Sequence, residues 1–500
     1  MADEARGVAG QLVMADLPAG GTEAVINHLD HYPFGGITLH QWDTGEATEL
    51  RQRMTMLWQA LAKAALPPPL VALTEEGGTV HRFPEVVRPP SAMSLGEVND
   101  LELTQRVGQL WGRYLMSQGI NWNWAPVADV LTEVQNPVIG TRAFSQDSDR
   151  VARHVAAWIR GHQAEGILAT AKHFPGHGMT QLDSHLARPV CSLAESELAG
   201  HLVPYDAAIE AGVKAMMLSH VIYSEFDALP ATLSSYWYQR LRTMGFGGLV
   251  VTDALSMRAI GDVYAPGEAA VRAITAGADI IDSGSWEIAV AALEAIAQAY
   301  EQDRTFRRRA DDARERVLAV KAHLRPPEAW PASVSTEQLA EVSWQSALTG
   351  ARIIRGDPQR FTADCPSFQT VWMSSRHRVE VEERGETSEG RASVVRVDLS
   401  GRGWREELSA IFDQSGALLL FTENVWRYPE VIAQLRKLSL RRPVLHVAVL
   451  DPVDVDRLPE TKVAVAIYGN FEYAAKVIDG LIFAPKTAPA GGWEIRGSDA

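Results

Sequence analysis

Eight short apolar runs punctuate the first two-thirds of the chain, at residues 10–14, 35–39, 70–73, 120–127, 167–171, 215–218, 248–252 and 278–281. Runs of this length are too short for buried helices and read as buried strands. Between most of them lie longer stretches with apolar positions three and four apart, for example 46–65, 101–117, 149–164 and 193–211, and this spacing predicts amphipathic helices. Strand followed by helix, about eight times in roughly 320 residues, predicts a (β/α)8 barrel. An open doubly wound sheet uses the same alternation and stays as the alternative.

The pattern changes near residue 324. A charged helical stretch (301–322) gives way to Arg325-Pro326-Pro327 and Trp330-Pro331, which read as a linker. Fresh apolar runs follow at 394–397, 417–421, 444–449 and 463–468, with an amphipathic stretch at 428–438. They predict a second, smaller α/β domain built on a parallel sheet. The expected organisation is a barrel over 1–325, a linker over 326–340 and the second domain over 341–500. That domain lacks a G-x-G-x-x-G fingerprint, so no nucleotide site is expected there. The polar stretch 380–390 is expected to be an exposed loop, and no internal repeat is evident.

In a barrel the active site is built from loops at the C-terminal ends of the strands, and the polar residues follow that rule. Thr74-Glu75-Glu76-Gly77-Gly78 follows the third run, Asp129 and Arg142 the fourth, Ser219-His220 the sixth, and Asp253 the seventh. The fifth run carries the densest cluster, Lys172-His173-Phe174-Pro175-Gly176-His177-Gly178 and then Asp183-Ser184-His185. Its proline and glycines break regular structure and put the titratable groups on a loop. Asp183 can accept the His185 ring N–H, making an acid/base unit; a solvated histidine on an aspartate-capped loop is the plainer reading. Asp253, just past a β-branched run, suits a nucleophile and equally a helix N-cap. Arg142, Lys172 and His173 offer donors for hydroxyls or an amide carbonyl, or could serve as ion-pair partners. Asp129 is expected to brace loops. His173, His177, His185 and Asp183 are acceptable zinc ligands, but their spacing matches no helical H-x-x-x-H pair, so no metal is expected.

Composition narrows the class. A chain of 500 residues with 46% hydrophobic and 22% charged residues can bury a large core. Its net charge of −15 argues against a general nucleic-acid partner. Cys191 and Cys365 form no disulfide framework, the N-terminus lacks an apolar secretory region, and no apolar run is long enough to span a bilayer. The expectation is a cytoplasmic protein without membrane partners.

Taken together these residues resemble glycoside hydrolase family 3, specifically its bacterial β-N-acetylhexosaminidase branch. The histidine-rich segment looks like that branch's signature. Supporting matches are Glu76-Gly77-Gly78, Ala125-Pro126-Val127-Ala128-Asp129-Val130, Asn136 to Ser145, Ser219-His220-Val221, Pro230 to Ser234 and Thr252-Asp253-Ala254-Leu255-Ser256-Met257. The resemblance implies a cofactor-free retaining glycosidase acting on β-linked N-acetylglucosamine in cell-wall (peptidoglycan) turnover. By this resemblance Asp253 is the nucleophile, His185 the acid/base and Asp183 its orienting partner. Arg142, Lys172 and His173 would bind the sugar, with Met217, His220 and Met257 nearby. A neutral base also suits phosphate as an alternative acceptor. Two departures stand out. Thr74 replaces an aspartate that normally accepts sugar hydroxyls, and Ala254 replaces a second aspartate. They leave open a family 3 β-glycosidase of altered sugar preference, or a sugar-binding protein of low activity. Oligomeric state and the role of the second domain stay open.

Overall fold

The computed structural model describes residues 2–184, 186–365, 368–374, 394–399, 404–412, 416–469 and 473–483. His185 and the stretch 380–390 lie outside the described residues. Eight parallel strands form the first sheet: β1 (Val13–Asp16), β2 (Gly36–Thr38), β3 (Leu70–Leu73), β4 (Trp122–Asn123), β5 (Leu168–Phe174), β6 (Ala215–Leu218), β7 (Leu249–Thr252) and β8 (Ile281–Asp282). Their order is β8-β1-β2-β3-β4-β5-β6-β7. A parallel bridge between Val251 and Ile280 brings the two ends together. The nearly closed ring is the (β/α)8 barrel, and the open-sheet alternative falls away. Each of the eight apolar runs overlaps a strand, the last only at Ile281. The first was placed too early: Gly10 and Gln11 end a helix (Ala2–Gln11), and the strand starts at Val13. In the long fourth run only Trp122 and Asn123 are ladder-paired.

Helices wrap the strands and begin where short polar side chains accept their first free N–H groups. Asp100 caps Leu101–Ser117, Asp147 caps Ser148–Ala164, Ser285 caps Trp286–Gln302 and Asp303 caps Arg304–Lys321.

Strand register determines which residues face the barrel lumen. The Asn123 side chain turns outward toward His162 on the Ser148–Ala164 helix, so its neighbour Trp122 faces inward. Trp122 is in register with Ala72, Ala72 with Thr38, and Thr38 with Asp16. On the other side Leu168 matches Trp122, Thr170 matches Ala215, Lys172 matches Met217, and Met217 matches Val251. Side chains two apart on a strand share a face. Asp16, Thr74, Lys172, Met217, Asp253 and Asp282 therefore belong to one inward-facing set at the C-terminal mouth.

The opposite end is sealed by Lys321. Its ammonium donates to Gln11 Oε1 at 2.7 Å and to the Gly35 carbonyl at 2.5 Å, with 2% of the residue exposed. Burial without a carboxylate partner pushes the amine down to about 7. The unfolded chain then binds more protons than the folded one between about pH 7 and pH 10. Relative to Lys321→Met, the wild type should gain about 2 kcal/mol between pH 7 and pH 9. Urea unfolding of both proteins across that range measures it; a flat difference would mean the amine is not titrating there.

The second unit has a six-stranded sheet: β9 (Arg352–Arg355), β10 (Phe368–Ser374), β11 (Val394–Asp398), β12 (Ala417–Glu423), β13 (Val444–Ala448) and β14 (Val463–Ala466), in the order β9-β14-β13-β12-β10-β11. All pairings are parallel except β9 with β14, so the expected parallel sheet is mixed at one edge. The two compact units are Met1–Pro89 with Asn99–Leu339, and Pro90–Val98 with Ala340–Ala500. The short helix Ala92–Val98, early in the sequence, thus belongs to the later unit. Among the described residues no helix is long and apolar enough to cross a membrane.

Candidate active site

Glu76 anchors the site. Leaving β3, the chain turns at Gly77 and Gly78, both with positive φ (84° and 55°), where glycine is favoured. The Glu76 carboxylate accepts both arms of the Arg142 guanidinium, Nε at 2.7 Å and Nη2 at 2.8 Å. It also meets Lys172 Nζ at 2.6 Å. Burial alone would raise its pKa, but Arg142 and Lys172 outweigh burial and hold the carboxyl far below the usual range. Burial in turn lowers the Lys172 pKa, with Glu76 opposing the shift. Arg142 and Lys172 are thus ion-paired, as the plainer reading allowed, and one carboxylate brings both to the mouth.

Asp129 is the second anchor. One carboxylate oxygen takes the His173 ring at 2.7 Å. The other accepts the backbone N–H of His173 at 3.3 Å and of His177 at 2.6 Å, and the Tyr205 hydroxyl at 3.2 Å. Against the effect of burial, His173 keeps this carboxyl below its ordinary pKa. Asp129 braces loops, as expected. Lys172 and His173 are consecutive, yet both reach mouth carboxylates. A register shift between Lys172 and Phe174 breaks the alternation there, re-aiming a side chain as bulges do.

His177 packs the loop from beneath. Its Nδ1 meets the Thr180 hydroxyl at 2.7 Å and its Nε2 the Ser184 hydroxyl at 3.1 Å, and burial pushes its pKa down to about 4. Ser184 follows Asp183, so this buried neutral imidazole pins the loop next to that carboxylate. Gly178 lets the loop close onto the neighbouring one, since a Cβ there would come within 1.9 Å of the Val130 carbonyl. Both ring nitrogens of His177 face hydroxyls, which removes it from a zinc set; among the described residues no group of three or more His, Cys, Asp or Glu is arranged to hold a metal ion.

Asp253 leaves β7 into the same mouth. The next helix is Arg258–Gly261, preceded by Met257, so Asp253 does not cap it. The carboxylate accepts the Ala254 N–H at 2.9 Å. Burial pushes its pKa up, but His220, His173, the Ala254 N–H and Lys172 together bring it down to about 2. It is an ionised carboxylate throughout the neutral range. His220 is held by the Thr232 hydroxyl at 2.8 Å and the Ala254 carbonyl at 2.9 Å. Met217 and Met257 are buried beside these elements. Thr74 makes no hydrogen bond among the described residues. Its neighbour Glu75 does not stand in for the missing aspartate, because its two oxygens are taken by His81 at 3.1 Å and the Arg82 N–H at 2.8 Å.

Two features of the mouth escaped the sequence reading. Glu76 was read only as part of a motif, not as the anchor of Arg142 and Lys172. Asp16 and Asp282, with His40, form a further acidic cluster beside Asp253. Each of the two carboxylates closes an apolar run, the same signal that marked Asp253.

Residues 7–320 match the glycosyl hydrolase family 3 N-terminal domain. A beta-hexosaminidase of Vibrio cholerae is 36% identical over 258 residues, covering 51% of this chain and 76% of the relative. The solved family 3 beta-N-acetylglucosaminidase of Paenibacillus sp. str. FPU-7 superposes with a TM-score of 0.87 at 30% identity, covering 95% of this chain and 96% of that one. A beta-N-acetylhexosaminidase from Beutenbergia cavernae gives a TM-score of 0.59 at 31% identity, over 64% of this chain and 98% of that chain.

Proposed function

The chain belongs to glycosyl hydrolase family 3, and from that premise we propose that it is a retaining β-N-acetylhexosaminidase removing terminal β-linked N-acetylglucosamine. The observation that carries the reading is the ionised Asp253 carboxylate, set at the barrel mouth among Lys172, His173 and His220. A buried anion flanked by a lysine and two histidines, with no helix to cap, suits a nucleophile.

The reaction runs in two displacements. Asp253 attacks the anomeric carbon while His185, oriented by Asp183, gives its proton to the glycosidic oxygen. The aglycone leaves as an alcohol and the sugar stays as an ester on Asp253. His185, now neutral, takes a proton from water as that water attacks the same carbon, and the sugar departs with its β configuration restored. Arg142, Lys172 and His173 bind ring hydroxyls or the acetamido carbonyl. A histidine as acid/base adds no second anion next to Asp253.

The test is hydrolysis of 4-nitrophenyl N-acetyl-β-glucosaminide beside the β-glucoside, with the first product anomer read by proton NMR. Preferential cleavage of the N-acetyl sugar with the β anomer appearing first supports the reading. A first-formed α anomer, or cleavage of the glucoside alone, refutes it. Thr74 supplies a sharper probe. A charge-assisted hydrogen bond to a sugar hydroxyl contributes about 1.5–3 kcal/mol. Thr74→Asp should therefore raise kcat/KM on the N-acetylglucosaminide about tenfold or more. A loss would mean that the pocket reads a different face of the sugar.

A further inference from the structure

The β8–β1–β2 side of the mouth holds carboxyl oxygens whose hydrogen bonds do not add up. Asp16 and Asp282 both face the lumen by register, since Met14 pairs with Asp282 and Asp16 lies two residues beyond Met14. They are 8% and 4% exposed. Asp16 Oδ2 is taken by His40 Nε2 at 2.7 Å. The Gly284 backbone N–H lies near enough to the Asp282 carboxyl to favour its charged form. The remaining oxygen of each, Asp16 Oδ1 and Asp282 Oδ1, is buried with no hydrogen-bond partner. Two ionised carboxylates would leave two orphaned acceptors and two like charges out of water, a combination proteins avoid. One proton resolves both problems, because a protonated carboxyl is a donor and its neighbour an acceptor.

We propose that Asp16 and Asp282 share a single proton between their Oδ1 atoms, and that the neutral carboxyl at Asp282 is a positioning residue for Asp253. The backbone of Asp282 already frames the nucleophile. Its N–H bonds the Thr252 hydroxyl at 3.0 Å, and its carbonyl accepts the Leu255 N–H at 3.0 Å, one contact on each side of Asp253. The charged groups acting on Asp282 are Asp16 from β1, Asp253 from beyond β7 and Lys172 from β5. These anions, together with burial, favour the proton on Asp282, while Asp16 Oδ2 stays bonded to the His40 ring. The other end of the chain reaches solvent: the His40 side chain is 29% exposed and its ring stacks on Trp42 at 4.7 Å. Asp282 thus lies next to the nucleophile without adding a negative charge there. The positioning role rests on Asp253 being the nucleophile; the shared proton does not.

Infrared difference spectroscopy on protein labelled with carboxyl-13C aspartate tests the proton directly. At neutral pH the wild type should show a protonated-carboxyl stretch that is missing from Asp282→Asn. If no such band is lost, the shared proton is refuted. A melting temperature that rises with sodium or potassium but not with choline would also refute it, since the two oxygens would then be holding a cation. Kinetics test the positioning role. Asp282→Ala should lower kcat about tenfold with little change in KM, whereas Asp282→Asn, neutral and still a donor to Asp16, should recover to within about threefold. Equal losses in both variants would reduce the pair to a structural role. An enzyme that cleaves no N-acetylhexosaminide would overturn the activity reading, and the infrared result would still decide the shared proton.

Discussion

Asp253→Ala should lower kcat on the N-acetylglucosaminide by about 10⁴-fold or more while leaving the fold intact, because in the proposed mechanism it removes the atom that bonds to the anomeric carbon. The carboxylate makes one short-range hydrogen bond, to the next residue's N–H, so its loss disturbs little packing. With its pKa at about 2, the native group does not titrate in the working range. The acid limb of the pH profile should therefore come from another group. The variant leaves a gap beside Lys172, His173 and His220 that a small anion can enter. Added azide should restore part of the turnover and give the α-glycosyl azide, the product of a single inversion. Near-native activity in Asp253→Ala, or a rescued product of β configuration, would exclude Asp253 as the nucleophile.

Glu76→Ala should act on stability and on catalysis together. Removing one partner from a buried ion pair leaves uncompensated charge and costs about 3–5 kcal/mol. Here two cations are orphaned at once, since Arg142 and Lys172 both end on this carboxylate. Freed of it, they would also lose their aim at the sugar they are proposed to bind, and misplacement of about 1 Å in a positioning group costs about 10²-fold. Urea unfolding and kcat/KM measured on the same preparation check both effects. The pH dependence has a definite sign. The folded pKa of Glu76 is depressed, so its contribution is present above the unfolded value near 4 and fades as pH falls toward the folded one. Glu76→Ala should close part of its stability gap to the wild type in acid. A gap of constant size would mean that the carboxylate is not stabilised by the two cations.

What the sequence revealed and what it hid follow from the range of the interactions. Barrel strands such as 70–73 and 215–218 are continuous apolar runs because both faces are buried, so they stand out unaided. The strands Arg352–Arg355 and Phe368–Ser374 went unseen. The first is a half-buried edge strand flanked by arginines, and the second mixes Gln369 and Thr370 into its apolar positions. In the site, Asp253, Lys172 and His173 were legible because each lies at the end of an apolar run or in a dense polar cluster. Their partners were not: Glu76 binds a lysine 96 positions on, and Asp129 a histidine 44 positions on. Local spacing carries no record of such cross-barrel pairs. The histidine cluster also looked uniform in sequence, whereas His177 is a buried prop and His173 a mouth residue.

The membership of the Ala92–Val98 helix in the second unit has a consequence for modularity. Ser94 bonds Ser346 at 2.9 Å, Arg352 meets Glu97 at 3.4 Å, and Ser91 bonds the Tyr468 carbonyl, so this helix is stitched to chain more than 240 residues later. The second unit is not an appendage that ends where the barrel begins, because its first piece is threaded through the barrel's own sequence between β3 and β4. No single cut can separate the two units. Trimming the chain after the barrel would strand Ser91, Ser94 and Glu97 without these partners. Shuffling the second unit onto another barrel would require moving two segments together.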